Sequence, residues 1–136
     1  GMLPVVYGDV AYDEIKGCCI LSTELVLSKL ARALKEKYEI ELGMCGIVDG
    51  VYTADPTREK GAKLIRRIDH SNLSEVKRYL SGSHGIDVTG GMLHKVMSLY
   101  KLARAGIRAT IFSGLRKGEV KRFLLGKKVR GTVIEY

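Results

Sequence analysis

Short apolar runs rich in β-branched residues alternate along this chain with stretches whose apolar residues recur every three to four positions. Strands that alternate with helices bury both kinds of apolar face when the strands form a mainly parallel sheet and the helices cover it. The sequence therefore predicts an α/β fold, a three-layer sandwich around a mainly parallel sheet.

The individual runs place the elements. Residues 4–12 and 17–21 read as two strands joined through the polar Asp13-Glu14-Ile15-Lys16, a hairpin added antiparallel to the sheet. Ser22 or Thr23 caps a helix on which Leu27, Leu30, Ala31 and Leu34 share one face. Residues 40–48 form an apolar stretch that ends at Asp49-Gly50, as a buried strand leading into a loop does, with Cys45 as a small core residue. Residues 53–61, with Asp55-Pro56, read as loop, and residues 62–68 as an edge strand.

A brief helix capped by Ser71 or Asn72 turns Leu73, Val76 and Leu80 inward, and glycines at 82, 85, 90 and 91 punctuate the stretch after it. Met92, Val96, Leu99 and Ala103 repeat at helical spacing until Gly106 stops the helix. Residues 107–112 predict a strand, 119–125 a helix closed by Gly126, and 132–136 a last strand.

The 136 residues, 46% apolar and 28% charged with only 2 prolines, suit one globular domain over 1–136 and exclude disorder or collagen-like repeats. The longest apolar run falls short of the roughly 18 residues of a membrane-spanning helix, and the first residues lack the pattern of a secretory signal. With three cysteines, two of them adjacent at 18 and 19, the expectation is a soluble, cytoplasmic protein with reduced thiols and no membrane partner.

The net charge of +8 is unevenly spread: residues 1–90 carry 12 basic and 13 acidic side chains, residues 91–136 carry 11 and 2. Such a block suits a polyanion, a phosphorylated small molecule or a solvated helical face. Tyr79, Tyr100 and Phe112 do not interleave with it as a stacking platform would, which argues against nucleic acid as a partner. His70, His84 and His94 have no metal-ligand spacing with the cysteines, and no metal-ligand set is read from the chain.

Three stretches carry candidate chemistry. In Thr89-Gly90-Gly91-Met92-Leu93-His94-Lys95, two glycines before a helix leave backbone N–H groups open to an anion, and Lys95 one turn on leans back toward it; a glycine-rich turn followed by a surface lysine fits the same residues. Val48-Asp49-Gly50-Val51-Tyr52-Thr53-Ala54-Asp55-Pro56 comes after a strand, where ligands settle in α/β sheets, and equally suits a tight turn. Glu24, beside Thr23 in the first turn of a helix, either complements the helix dipole or serves a site.

Together these stretches resemble the amino acid kinase superfamily, through residues 48–56, and more narrowly the archaeal isopentenyl phosphate kinases. The narrower resemblance rests on Pro4-Val5-Val6-Tyr7-Gly8-Asp9-Val10, on Ile20-Leu21-Ser22-Thr23-Glu24, and on Tyr79-Leu80-Ser81-Gly82-Ser83 through Ile86-Asp87-Val88-Thr89-Gly90-Gly91-Met92 to Lys95. It implies transfer of the ATP γ-phosphoryl group to isopentenyl phosphate to give isopentenyl diphosphate, with Mg²⁺ neutralising phosphate charge. It also implies catalytic roles for Lys95 and Glu24, and contact of Gly46, Ile47, Asp49, Gly50, Val51, Tyr52, Gly90, Gly91 and Lys95 with the nucleotide. Thr23 would lie near the phosphate acceptor.

Relatives read Thr-Asp-Val-Asp-Gly where this chain reads Gly46-Ile47-Val48-Asp49-Gly50, and Ser-Gly-Asp-Asp where it reads Ser22-Thr23-Glu24-Leu25. The family's N-terminal, substrate-gripping half has no counterpart here, so the chain reads as the C-terminal ATP-binding half. Gly1 before Met2 suits a remnant of tag removal. The expected partners are ATP, a phosphorylated small molecule, a separate N-terminal half, and further copies of the chain in a homo-oligomer. Another kinase of the superfamily and a non-catalytic nucleotide-binding module are the alternatives.

Overall fold

The computed structural model describes residues 7–81 and 91–136. The expectations for Pro4, Val5 and Val6, for Gly82, Ser83, His84 and Gly85, and for Ile86 through Gly90 lie outside the described residues. The chain divides into two compact units, residues 1–40 and 41–136.

The first unit holds a hairpin and a helix. Strands β1 (Asp9–Asp13) and β2 (Gly17–Leu21) pair antiparallel, with Asp13 opposite Gly17. Asp13 Oδ1 accepts the amides of Ile15 and Lys16, and Gly17 turns at φ +77°, a left-handed conformation that costs glycine little. Those two amide hydrogen bonds also hold the Asp13 carboxyl below its ordinary pKa. Helix α1 (Thr23–Leu34) is capped by Ser22, whose hydroxyl accepts the Leu25 amide at 3.2 Å, and Ala31 is its buried residue.

In the second unit a four-stranded sheet runs in the order β3 (Glu41–Gly46), β5 (Arg108–Ser113), β6 (Gly131–Ile134), β4 (Arg67–Ile68). The pairs β3–β5 and β4–β6 are parallel, and β5–β6 is antiparallel. The architecture is α/β with a mainly parallel sheet, as the alternation of elements predicts. The hairpin, however, forms its own two-stranded sheet, and the antiparallel member of the main sheet is the return from β5 to β6.

Among the described residues three helices accompany this sheet: α2 (Leu73–Ser81), α3 (Gly91–Ala103) and α4 (Glu119–Leu124). Helix α3 packs on β5 and β6, and α2 packs on α3. Val96, Leu99 and Leu102 of α3 join Ile107, Ile111, Phe112 and Ile134 in the core, each fully buried aliphatic side chain contributing roughly 1.5–3 kcal/mol. On the face of β5 that carries Phe112, the Phe123 ring of α4 stacks at 5.1 Å between centroids. Gly43 lies beneath that ring, where a Cβ would stand 2.5 Å from Phe123 Cε1.

Helices α3 and α4, which lead into β5 and β6, each end on a left-handed glycine, Gly106 at φ +81° and Gly126 at φ +66°. In each case the glycine amide bonds back three residues and the next amide bonds back five, Ile107 N–H to Leu102 O and Lys127 N–H to Arg122 O. These are Schellman closures, and they satisfy the last helical carbonyls while reversing the chain.

A second expectation fails as well. Residues 40–48 do not form a buried strand: β3 is an edge strand of the sheet, exposed at Glu41, Cys45 and Gly46. Cys45 is accordingly an exposed thiol, because an apolar run reads alike whether one neighbour or two cover it. At the end of the sheet where β3 and β5 begin, a ladder of charges crosses the strands: Arg67 Nε to Glu135 Oε1 at 2.9 Å, and Arg108 Nε to Glu135 Oε2 at 3.7 Å and to Glu41 Oε1 at 3.8 Å.

Candidate functional site

Because β3 and β5 are parallel neighbours, the loops that extend from them leave the same edge of the sheet. Ligands in α/β sheets bind beyond such carboxyl ends. The ladder runs one bond further, from the Gly114 amide to Gly46 O at 2.9 Å, before the loops diverge.

Asp49 joins them. Its Oδ1 accepts from Arg116 Nε and its Oδ2 from Arg116 Nη2 at 2.9 Å, a two-pronged fork. Arg130 Nε, from the segment entering β6, stands 2.9 Å from the same Oδ2. The Asp49 side chain is 11% exposed, whereas both arginines are about half exposed. The Arg116 hydrogen bonds hold the Asp49 carboxyl below its ordinary pKa against the opposing effect of burial, with further help from the charges of Arg116 and Arg130 and from the Tyr52 hydroxyl.

Glu119 completes the cluster: its Oε2 accepts the Arg130 amide at 2.8 Å, and its Oε1 lies 3.5 Å from Arg122 Nε. Arg122 in turn donates from Nη2 to the Lys128 carbonyl at 2.8 Å. Three arginines of the basic last third are thus engaged by Asp49, Glu119 and a carbonyl. Lys117, Lys121, Lys127 and Lys128 remain as exposed cations on α4 and its flanking loops.

The floor of the loop after β3 is fixed by a buried hydroxyl. Thr132 Oγ1 accepts the Val51 amide at 2.8 Å and donates to the Ile65 carbonyl at 2.6 Å. Gly50 must be glycine, since a Cβ there would stand 2.5 Å from Thr132 Oγ1 and 2.9 Å from Thr132 N. Beyond it the chain makes a pinned excursion: Ile65 N–H to Val51 O, a bridge between Tyr52 and Leu64, and Thr53 N–H to Lys63 O. At its tip Asp55 Oδ1 accepts both the amide and the hydroxyl of Thr57.

Helix α3 brings the other predicted residues to this edge. It packs on β5 and joins it through the reversal at Gly106. Thirteen helical residues and six strand residues each span roughly 20 Å, so Gly91 at the start of α3 lies toward the end of β5 from which Arg116 departs. Gly91 enters the helix at φ +61°. Lys95 is half-buried one turn later, and His94 is exposed.

Within the second unit, then, Gly46, Ile47, Asp49, Gly50, Val51 and Tyr52 line one loop, with Gly91 and Lys95 on the helix beside the same edge. Ile47 is 78% exposed, while Val51 is fully buried and supports the loop from beneath. Gly90 lies outside the described residues. In the first unit Thr23 Oγ1 accepts the Gly8 amide at 2.7 Å, and Glu24 is exposed in the first turn of α1. Arg116, Arg130, Glu119 and Thr132 escape a reading of the sequence. The basic block points to their neighbourhood, but Asp49 and Val51, which Arg116, Arg130 and Thr132 engage, lie about 65 to 80 residues away along the chain.

Comparison with known proteins gives this arrangement a relationship. A profile of the amino acid kinase family matches residues 1–113. The chain belongs to the amino acid kinase family. It is 38% identical over 137 aligned residues to the isopentenyl phosphate kinase of Methanothermobacter thermautotrophicus, covering 98% of this chain and 49% of that relative. To the isopentenyl phosphate kinase of Methanocaldococcus jannaschii it is 34% identical, over 99% of this chain and 46% of the relative.

Among solved structures it superposes on an isopentenyl phosphate kinase with a TM-score of 0.70 and 31% identity, covering 98% of this chain and 46% of the other. The chain spans about half the length of the curated relatives it matches. The described residues contain no helix long and apolar enough to cross a membrane, and no cluster of three or more histidine, cysteine or acidic side chains placed to hold a metal.

Proposed function

We propose that this chain is the ATP-binding half of a kinase that transfers the γ-phosphoryl group of ATP to isopentenyl phosphate, giving isopentenyl diphosphate. The observation that carries the proposal is the shared sheet edge, where the Asp49–Arg116 fork ties two loops together beside the glycine-led start of α3 with Lys95. Isopentenyl phosphate kinases at 38% and 34% identity supply the substrate.

Phosphoryl transfer asks mainly for positioning and for charge stabilisation, with little covalent chemistry from the protein. In this reading the start of α3 at Gly91 and the Lys95 ammonium hold the ATP phosphates, with Gly90 assigned there on the resemblance alone. The Gly46–Tyr52 loop lies against the nucleotide through its backbone and the exposed Ile47. Asp49 acts by fixing that loop, since both its oxygens are taken by arginines.

Thr23 and Glu24 are assigned to the acceptor side and to catalysis on the resemblance alone. Mg²⁺ bound to the ATP phosphates would neutralise part of their charge. The 136 residues work as one ATP-binding domain in the cytoplasm. Turnover requires the other half of the family fold as well.

The test is calorimetric titration of Mg·ATP into the purified chain beside Lys95→Ala. Saturable binding weakened at least tenfold by the substitution is expected; equal affinity in the two proteins overturns the site. Glutamate 5-kinases, at 29–33% identity, favour a second reading in which the acceptor is a carboxylate. Phosphorylation of glutamate in preference to isopentenyl phosphate by the completed enzyme would establish it.

A further inference from the structure

The Asp49 carboxylate holds two guanidiniums, and it does not hold them alike. Arg116 spends both prongs of its fork, Nε and Nη2, on the two carboxylate oxygens. Arg130 touches Asp49 through Nε alone, at 2.9 Å from Oδ2. A guanidinium carries its remaining N–H donors on Nη1 and Nη2, and no described residue takes those of Arg130. They belong to a half-exposed side chain. Arg130 immediately precedes β6, whose Gly131 pairs with Phe112 near the end of β5, so it stands at the sheet edge from which the Asp49 and Arg116 loops leave.

The base of this side chain is fixed. The Arg130 amide donates to Glu119 Oε2 at 2.8 Å, and β6 lies so close to β5 that a Cβ on Gly131 would collide with the Ile111 carbonyl. An arginine held at its backbone and at Nε gives up little further freedom when its outer edge takes a ligand. The local charge favours an anion, because three guanidiniums, Arg116, Arg122 and Arg130, face the two carboxylates of Asp49 and Glu119. Lys127 and Lys128 add exposed cations two and three residues before Arg130. That is more charge than a single carboxylate ligand neutralises, and it suits a polyphosphate.

We propose that Arg130 is an anion-binding residue of this edge, its Nη1 and Nη2 groups donating to a polyphosphate while Nε stays on Asp49. A planar fork of donors matches two oxygens of one phosphate group. Asp49 then has a second task beside fixing its loop: it orients the Arg130 fork. That the polyphosphate is the triphosphate of ATP rests on the proposed kinase function, in which Arg130 adds a cation to those of the α3 start and Lys95.

The experiment titrates inorganic tripolyphosphate and, separately, Mg·ATP into the full chain by calorimetry at fixed ionic strength, beside Arg130→Gln and Lys117→Gln, each checked for its fold by circular dichroism. Lys117 is an exposed cation next to Arg116, and its loss reports diffuse charge. Arg130→Gln should weaken both ligands at least tenfold and Lys117→Gln less than threefold. No tripolyphosphate binding by the wild type, or equal losses in the two variants, overturns the proposal. A loss in Arg130→Gln confined to Mg·ATP also overturns it, by making Arg130 a prop for the loop without contact to phosphate. Tripolyphosphate binding that depends on Arg130, in a chain that does not bind Mg·ATP, refutes the kinase reading and leaves the anion site standing.

Discussion

Replacing Thr132 by valine removes one oxygen and almost no volume, so its effect reports hydrogen bonding alone. The hydroxyl is fully buried, accepts from Val51 N–H at 2.8 Å and donates to Ile65 C=O at 2.6 Å. Valine leaves both backbone groups without that partner, and Val51 is itself fully buried. An orphaned buried group costs about 1–3 kcal/mol. Ile65 is half-buried and regains part of its bond from water, which places the total at about 2–4 kcal/mol. With a urea m-value of about 2 kcal/mol/M, the unfolding midpoint falls by about 1–2 M at unchanged m. Hydrogen exchange on the Val51 amide separates local from global loss, because that amide should lose protection before the core strands do. A midpoint within about 0.2 M of the wild type, roughly 0.4 kcal/mol, with the Val51 amide still protected, would refute the view that this hydroxyl holds the loop.

Two more perturbations act on the same unit. Asp49 has a depressed carboxyl in the folded state, so its contribution is complete above the unfolded pKa of about 3.9 and is lost as pH falls below it; Asp49→Asn should flatten the acid limb of stability against pH. Parallel limbs in urea titrations from neutral pH down into the carboxylate range would contradict this. At Gly106 the added methyl of Gly106→Ala meets nothing within 4 Å, yet φ is +81°, so the loss is conformational and about 1 kcal/mol. A thermal midpoint equal to that of the wild type would show that the Schellman closure relaxes freely.

The sequence discloses what is local and conceals what is pairwise. Gly17–Leu21 and the helices from 23, 73 and 91 emerge from period and punctuation, because those signals lie within a few residues of one another. The left-handed glycines at 106 and 126 are legible for the same reason. The edge position of β3 is not, since nothing in Leu42-Gly43-Met44 says how many strands flank it, and Cys45 leaves the expected core with it. The antiparallel β5–β6 pair depends on how α4 and its loop return the chain. The partners of Asp49 are hidden inside a charge excess: Arg116 and Arg130 count as two basic residues among many until the fold sets them against one carboxylate.

The excursion between Asp49 and Ile65 is closed at its neck by Val51–Ile65, Tyr52–Leu64 and Thr53–Lys63, while its tip is organised around the Asp55 turn. Lengthening that tip enlarges a loop whose ends are already tied, and the entropy of such a loop grows only with the logarithm of its length. Here the gene can gain or lose codons without disturbing the neck, and a peptide tag or fluorophore inserted after Lys60 would ride on the protein next to its site yet outside its core.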